Sequence, residues 1–169
     1  MRRLHAASAL FLAAAIAGAA DPPAPPVLRM PGAPDRPIEP ASLLGAGRTD
    51  VRIEDSHGDV TVFHGLPLLD LLEQNGLDSK TMASQRKVAS AVVVVTARDG
   101  YAVVFSIGEL LMHRGDPRVF IAAETGAGPL PLNEGPIRLV VLGDRVRSPY
   151  ALARFELKYL VDNAPARKQ

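Results

Sequence analysis

Cysteine is absent from all 169 residues of the chain. The protein therefore forms no disulfide, holds no metal through a thiolate, and has neither a cysteine nucleophile nor a lipid-modified cysteine. Tryptophan is absent as well, and aromatic residues make up only 5% of the sequence. Since 47% of the residues are hydrophobic, the chain can bury a core, but that core must be mainly aliphatic.

The sequence also lacks an excess of charge of either sign. Its formal net charge is +1, and residues 1–20 contribute two arginines and no acid to it. The remainder has 17 basic and 18 acidic residues, because two of the 19 basic residues lie in that first segment. A nearly neutral chain has no electrostatic footprint for nucleic acid, so a nucleic-acid partner is not expected.

Residues 1–20 have the pattern of a secretory signal peptide. Two arginines follow Met1, an Ala-rich apolar run extends from Ala6 to Ala20, and Asp21 ends it. Small residues allow cleavage after Ala19 or Ala20. The alternative is an uncleaved membrane anchor, but the run is shorter than the roughly 20 apolar residues that a span needs. The pattern therefore predicts an exported protein, located in a bacterial periplasm or outside the cell.

The rest of the chain divides into a lead-in, one domain and a short tail. Residues 21–48 begin with eight prolines before position 41, which predicts an extended, polyproline-like tether. Residues 49–162 form the predicted single domain, and residues 163–169 a frayed tail. A proline-rich ligand segment is the alternative interpretation of the lead-in.

The domain's patterns predict an α+β fold with more strand than helix. Alternation over residues 49–63 predicts a β-hairpin, and helical spacing over residues 66–75 predicts a helix closed by Gly76. Residues 78–89 are polar and predict a loop. Strands are predicted at 91–96, 101–105, 119–123, 137–142 and 152–160, with a short helix at 106–113. The four consecutive valines of the strand at 91–96 predict that it is buried on both faces. The apolar run at 137–142 predicts a central strand.

Few residues have the spacing of a known catalytic or metal site. The four histidines are not paired at helical spacing and no carboxylate cluster accompanies them. Ser106 is best explained as a helix N-cap with Glu109 as its capping-box partner. The loop Gly143–Ser148 is more informative, because Arg145, Arg147 and Ser148 follow a strand there. Arginine forks suit phosphate or the edge of a heterocycle; a solvated charged loop is the alternative.

Residues 60–160 resemble the oxidoreductase molybdopterin-binding domain, which has the sulfite-oxidase fold. Four segments occur in the family's order: VFHGLPLLDLL at 62–72, DGY through ELL at 99–111, the block at 122–142 with GPLP and GPIRLVV, and RSPYALARFEL at 147–157. The resemblance implies a β-rich molybdopterin-binding fold in a single domain.

The chain departs from the family where the chemistry is expected. Family enzymes bind molybdenum through a cysteine, and Tyr150 and Ala151 stand where the family has Lys and Trp. The resemblance therefore implies a short exported member that binds a pterin without molybdenum catalysis and reports it to a membrane-bound periplasmic signalling protein. The alternatives are a molybdopterin-dependent oxidoreductase or its accessory subunit, and a protein-interaction scaffold.

The resemblance also implies a set of ligand-binding residues. In the family, the loop matched by Arg147 and Ser148 approaches the pterin. Tyr150, His64 and Tyr101 are candidate stacking or hydrogen-bonding partners, and Arg145 is the further cation of the same loop. The alternatives are that the two tyrosines are half-buried sheet residues and that His64 belongs to a loop. No catalytic residue and no metal ligand is predicted.

Overall fold

The computed structural model describes residues 23–45 and 47–160, which form a small mixed α+β fold with more strand than helix. The predicted signal peptide and tail lie outside the described residues. The strands are β1 Val27–Arg29, β2 Arg36–Pro37, β3 Thr49–Glu54, β4 Val60–Pro67, β5 Ala91–Ala97, β6 Ala102–Ser106, β7 Val119–Thr125, β8 Gly128–Pro129, β9 Arg138–Val141 and β10 Leu152–Tyr159. The helices are α1 Leu68–Gln74, α2 Met82–Val88 and α3 Ile107–Met112, with a 3-10 helix at Pro40–Leu44.

The first sheet has the strand order β2-β1-β10-β5-β6. Strand β10 lies at its centre, antiparallel to β5 and parallel to β1. Strands β5 and β6 form a hairpin, and in the part of the chain that the structure describes β6 is an edge strand that pairs with β5 alone.

The second sheet has the order β3-β4-β7, with β8 and β9 both on the far edge of β7. Gly65 of β4 lies opposite Ala122 of β7 where the register shifts. A Cβ atom built on Gly65 would overlap the carbonyl of Ile121, so the close approach of β4 and β7 requires glycine here.

The main core combines inward side chains of both sheets with the apolar faces of the helices. Its largest fully buried members are Leu28, Leu43, Leu66, Leu68, Leu72, Phe105, Ile107, Ile121, Ile137, Leu139, Leu152 and Phe155. A smaller cluster covers the other face of the second sheet and contains Val51, Phe63, Phe120, Ala122, Leu130 and Val140. Both clusters are mainly aliphatic, as the composition predicts: the main core contains two phenylalanines, Phe105 and Phe155, and the smaller cluster contains Phe63 and Phe120.

The structure confirms most of the predicted elements. These are the hairpin at 49–63, the helix at 66–75 and the strands of residues 91–105, 119–123 and 152–160. The short helix after β6 is also confirmed. Ser106 Oγ accepts a hydrogen bond from the Glu109 amide at 2.9 Å. The Glu109 carboxylate does not complete the capping box, because it pairs with Arg147 instead.

Four predictions are wrong in detail. Residues 82–88 are a helix rather than a loop, because Thr81 and Ser84 form a reciprocal capping box. The prediction of an extended tether is wrong beyond residue 26, because Leu28 is buried and lies in β1, which pairs with β10. Val92 and Val94 are half-buried on an open sheet face. Strand β9 pairs only with β7, and its other edge is hydrogen-bonded by the segment that follows it.

Within the described residues, none of the helices has the length and apolar character required to cross a bilayer.

Candidate functional site

A cavity of about 420 Å³ opens between the β5–β6 turn and the segment that follows β9. That volume falls within the range of about 300–1,000 Å³ typical of small-molecule sites. We call it the tyrosine cavity, because two tyrosines line it. Its walls are Ala97, Arg98, Asp99, Tyr101, Asn133, Arg145, Val146, Ser148, Pro149, Tyr150 and Ala151.

The first wall is built by a tight hairpin turn. The Ala97 amide donates to the Tyr101 carbonyl at 2.8 Å, and Gly100 adopts a φ of 89°, which glycine accepts without strain. The Asp99 carboxylate accepts a hydrogen bond from the Tyr101 amide at 2.9 Å. The Tyr101 hydroxyl then donates to the Val146 carbonyl at 2.8 Å. The turn is thereby fixed to the loop on the far side of the cavity.

The second wall is the loop after β9, and Ser148 holds its shape. The Ser148 hydroxyl donates to the Asp144 carbonyl at 2.8 Å and accepts from the Val141 amide at 2.9 Å. Both hydrogen-bonding roles of this oxygen are therefore used within the loop. Ser148 lines the cavity, but its function there is to shape the wall.

Tyr150 and Ala151 form the rim that joins the two walls. Ala151 has a φ of 47°, a left-handed conformation that costs a residue with a Cβ roughly 1–2 kcal/mol. Two backbone bonds hold it there: its amide donates to the Glu134 carbonyl at 2.7 Å, and its carbonyl accepts from the Arg98 amide at 3.0 Å. This arrangement fixes the direction in which Tyr150 leaves the chain.

Arg138 lies between two aromatic rings directly beneath Tyr150. Its guanidinium carbon is 4.2 Å from the centre of the Tyr150 ring and 4.7 Å from that of Phe63. One guanidinium nitrogen donates to the Glu134 carboxylate at 2.6 Å. Tyr150 is thus supported on one face by a cation, while about half of its surface remains exposed. We refer to Phe63, Arg138 and Tyr150 as the arginine stack.

Polar groups of both signs surround this ring. Arg98, Asp99, Asn133 and Arg145 line the cavity and are exposed to solvent. The cavity therefore offers guanidinium donors, a carboxylate acceptor and an amide around an aromatic platform. That combination suits a flat molecule whose edge carries both donors and acceptors.

Arg147 points away from the tyrosine cavity. Its guanidinium contacts Asp144 at 2.7 Å and Glu109 at 3.1 Å, and lies over the Phe105 ring. These partners raise the pKa of Arg147, and the hydrogen bonds from Arg147 lower the pKa of Asp144. Arg147 lines a separate, smaller cavity of about 120 Å³ against α1 and α3.

His64 also lies outside the tyrosine cavity. It belongs to β4, where its Nδ1 atom is 2.7 Å from the Asp50 carboxylate and only 14% of the side chain is exposed. That hydrogen bond lowers the pKa of Asp50. Of the six residues predicted as ligand-binding, the structure therefore gathers Tyr101, Arg145, Ser148 and Tyr150 around one cavity and places Arg147 and His64 elsewhere.

The donor set does not fit a molybdenum centre of the thiolate-ligated kind. The chain has no cysteine, and its described residues contain no group of three histidine or carboxylate side chains placed to hold a metal ion. Hard oxygen and nitrogen donors scattered around the cavity cannot replace the soft ligand that sets such a metal's properties.

Arg138 is the functional candidate that sequence reasoning missed. A sequence signal was present, because an arginine within the apolar run Ile137–Val141 must find a partner when the strand is buried. Glu134, four residues earlier, is that partner. No sequence signal indicated that Phe63 and Tyr150 stack on Arg138, because both residues are distant in sequence from Arg138 and from each other.

Comparisons with known proteins identify no relative: no protein-family model matches the chain, and neither does any curated protein.

Proposed function

We propose that this chain is a periplasmic binding protein of the molybdopterin-oxidoreductase fold, which binds a pterin in the tyrosine cavity and acts as a regulatory or sensory module without molybdenum catalysis. The four family-like segments support the fold assignment. They correspond to β4–α1, β6–α3, β7–β9 and the loop leading into β10. Three of these segments contribute residues to the cavity walls.

The observation that carries the proposal is the half-exposed ring of Tyr150 at the rim of the cavity. Its inner face rests on Arg138, so the ring is held in place before any ligand arrives. Its outer face is then a ready platform for a planar heterocycle. Stacking of a nucleic-acid base on an aromatic side chain contributes about 1–3 kcal/mol, and a pterin ring system is of similar size and polarity.

Hydrogen bonds supply the specificity in this proposal. A pterin edge alternates carbonyl, ring N–H and amino groups. Arg145 and Arg98 donate to its oxygen and nitrogen acceptors, and the Asp99 carboxylate accepts from its N–H groups. Asn133 does either. No proton or electron transfer is needed, which agrees with the lack of a soft metal ligand.

A binding protein of this kind acts through a partner. In the proposal, a bound pterin bridges the β5–β6 turn and the loop after β9, and a membrane-bound periplasmic sensor recognises the bridged surface. The hydrogen bond from Tyr101 to Val146 already spans the two elements and is the contact that ligand binding would reinforce.

The test is a fluorescence titration of the purified protein with a simple pterin. Tyr150→Ala removes the platform, and the stacking energy above predicts affinity lower by about 5- to 150-fold. Tyr150→Phe keeps the ring and should bind within about threefold of the wild type. Arg147→Ala is a control outside the cavity and should leave affinity unchanged. Equal affinities of Tyr150→Ala and Tyr150→Phe, or no binding by the wild type, would refute the proposal.

A further inference from the structure

Strand β6 presents an unusually bare edge. The hydrogen bond between Ala97 and Tyr101 sets the alternation of the β5–β6 ladder, so Val103 and Phe105 direct their backbone groups toward β5. Ala102 and Val104 direct theirs outward. Within residues 23–45 and 47–160, no other backbone or side-chain group is hydrogen-bonded to the outward amides and carbonyls of these two residues.

The other sheet edges are protected in the ways natural proteins use. Strand β3 carries Asp50, Arg52 and Glu54, and β2 and β8 are two residues long with a proline in each. The outer edge of β9 is covered, because the Leu139 amide donates to the Pro149 carbonyl at 3.0 Å and the Val141 amide to Ser148.

Strand β6 has none of these protections. Residues 101–108 contain no charged residue and no proline. Val104 is 51% exposed, and on the same sheet face it lies opposite the half-buried Val94. The edge therefore combines free backbone donors and acceptors with an apolar strip, which favours pairing with another strand of neutral character.

We propose that β6 is the dimerisation edge of this protein and pairs with β6 of a second copy. A two-fold axis near Val103 sets Ala102 of one copy opposite Val104 of the other, and each such pair exchanges two backbone hydrogen bonds. The two five-stranded sheets then join into one continuous sheet.

The charges around β6 favour a second copy as the occupant. One end of the strand carries Arg98 and Asp99 in the turn, and the other carries Glu109 with its partner Arg147. Antiparallel pairing brings the first end of one copy to the second end of the other. Arg147 at the second end is shared by Glu109 and Asp144, which leaves an acidic excess there, and the pairing brings this excess to the end of the other copy that carries Arg98, so the two ends do not repel each other.

The experiment is sedimentation equilibrium of the protein recovered from its own cells. The wild type should have twice the mass of a single chain, falling toward the single-chain mass on dilution. Val104→Pro removes only an outward amide that β5 does not use, so the variant should fold and sediment as a single chain. Val104→Lys, which keeps the amide and adds a charge, should also favour the single chain.

Val60→Lys is the matched control, because Val60 is 47% exposed on the other sheet. It should remain a dimer. Hydrogen exchange gives a second measurement: the amides of Ala102 and Val104 should be protected at high concentration and exchange freely on dilution or in Val104→Lys. A wild type that sediments as a single chain at every concentration, or folded Val104 variants that stay dimeric, would overturn the proposal.

Discussion

Glu134 is the carboxylate that balances the buried cation of the arginine stack. Only 12% of the Arg138 side chain and 29% of the Glu134 side chain is exposed, and their closest atoms are 2.6 Å apart. The Arg138 Nε atom is buried with no hydrogen-bond partner in the described part of the chain. Replacing Glu134 with Gln therefore removes the one carboxylate that pairs with this largely desolvated guanidinium among residues 23–45 and 47–160.

The expected cost follows from the burial of the pair. Breaking a fully buried ion pair costs about 3–5 kcal/mol, and losing a hydrogen bond to a charged group costs about 1.5–3 kcal/mol. Since the Glu134 carboxylate is partly hydrated, we expect Glu134→Gln to lower the free energy of unfolding by about 2 kcal/mol. With a urea slope of about 2 kcal/mol per molar, the unfolding midpoint should fall by about 1 M.

A double-mutant cycle separates the pair from its surroundings. Arg138→Met keeps apolar volume between the rings and leaves Glu134 able to contact water, so it should cost about 1 kcal/mol or less. Once Arg138 is Met, adding Glu134→Gln should cost almost nothing, and the coupling energy should be about 2 kcal/mol.

An exposed ion pair of similar length provides the control. Arg29 and Asp35 are 2.7 Å apart, but both side chains are 45% exposed. Asp35→Asn should therefore shift the urea midpoint much less than Glu134→Gln does. The reasoning is refuted if Glu134→Gln is no more costly than Asp35→Asn, because burial would then not decide the strength of the pair.

Three further predictions concern single positions. Gly65→Ala should cost at least about 3 kcal/mol in urea unfolding, because the new methyl group meets the Ile121 carbonyl; a cost below about 1 kcal/mol would show that β4 and β7 can separate. Ala151→Gly should raise the unfolding free energy by about 0.5–1 kcal/mol, since relief of a positive φ exceeds the entropy cost of glycine; destabilisation would contradict the strain. Arg147 holds the pKa of Asp144 low, so this carboxylate contributes stability above its unfolded-state pKa that is lost as pH falls through its folded value. Asp144→Asn should therefore flatten the loss of stability below about pH 4, and an unchanged acid profile would argue against the ion pair.

Local pattern was sufficient for most of the elements. The β5–β6 hairpin follows from the Asp99–Gly100 turn, and α1 from the leucine spacing that ends before Gly76. Helix α2 was missed because its start depends on a Thr81–Ser84 capping box, whereas its apolar residues are few and reveal no helical face. In such a segment the cap, rather than periodicity, is the informative signal.

Long-range pairing explains the remaining errors. Proline spacing around Leu28 argues against a sheet, yet β1 is short enough to use the edge that β10 offers. Uninterrupted valines in β5 suggested burial on both faces, but only the face toward the core is covered. The arginine stack joins Phe63, Arg138 and Tyr150 from three separate elements, so it becomes visible only when the sheet is assembled.

The most direct test of the proposed function is mass spectrometry with metal analysis of the protein purified from its own cells without added ligand. The proposal predicts one pterin per chain and no molybdenum. Molybdenum bound with molybdopterin would contradict it in favour of a redox role. A protein that carries neither pterin nor metal would contradict it in favour of an interaction scaffold.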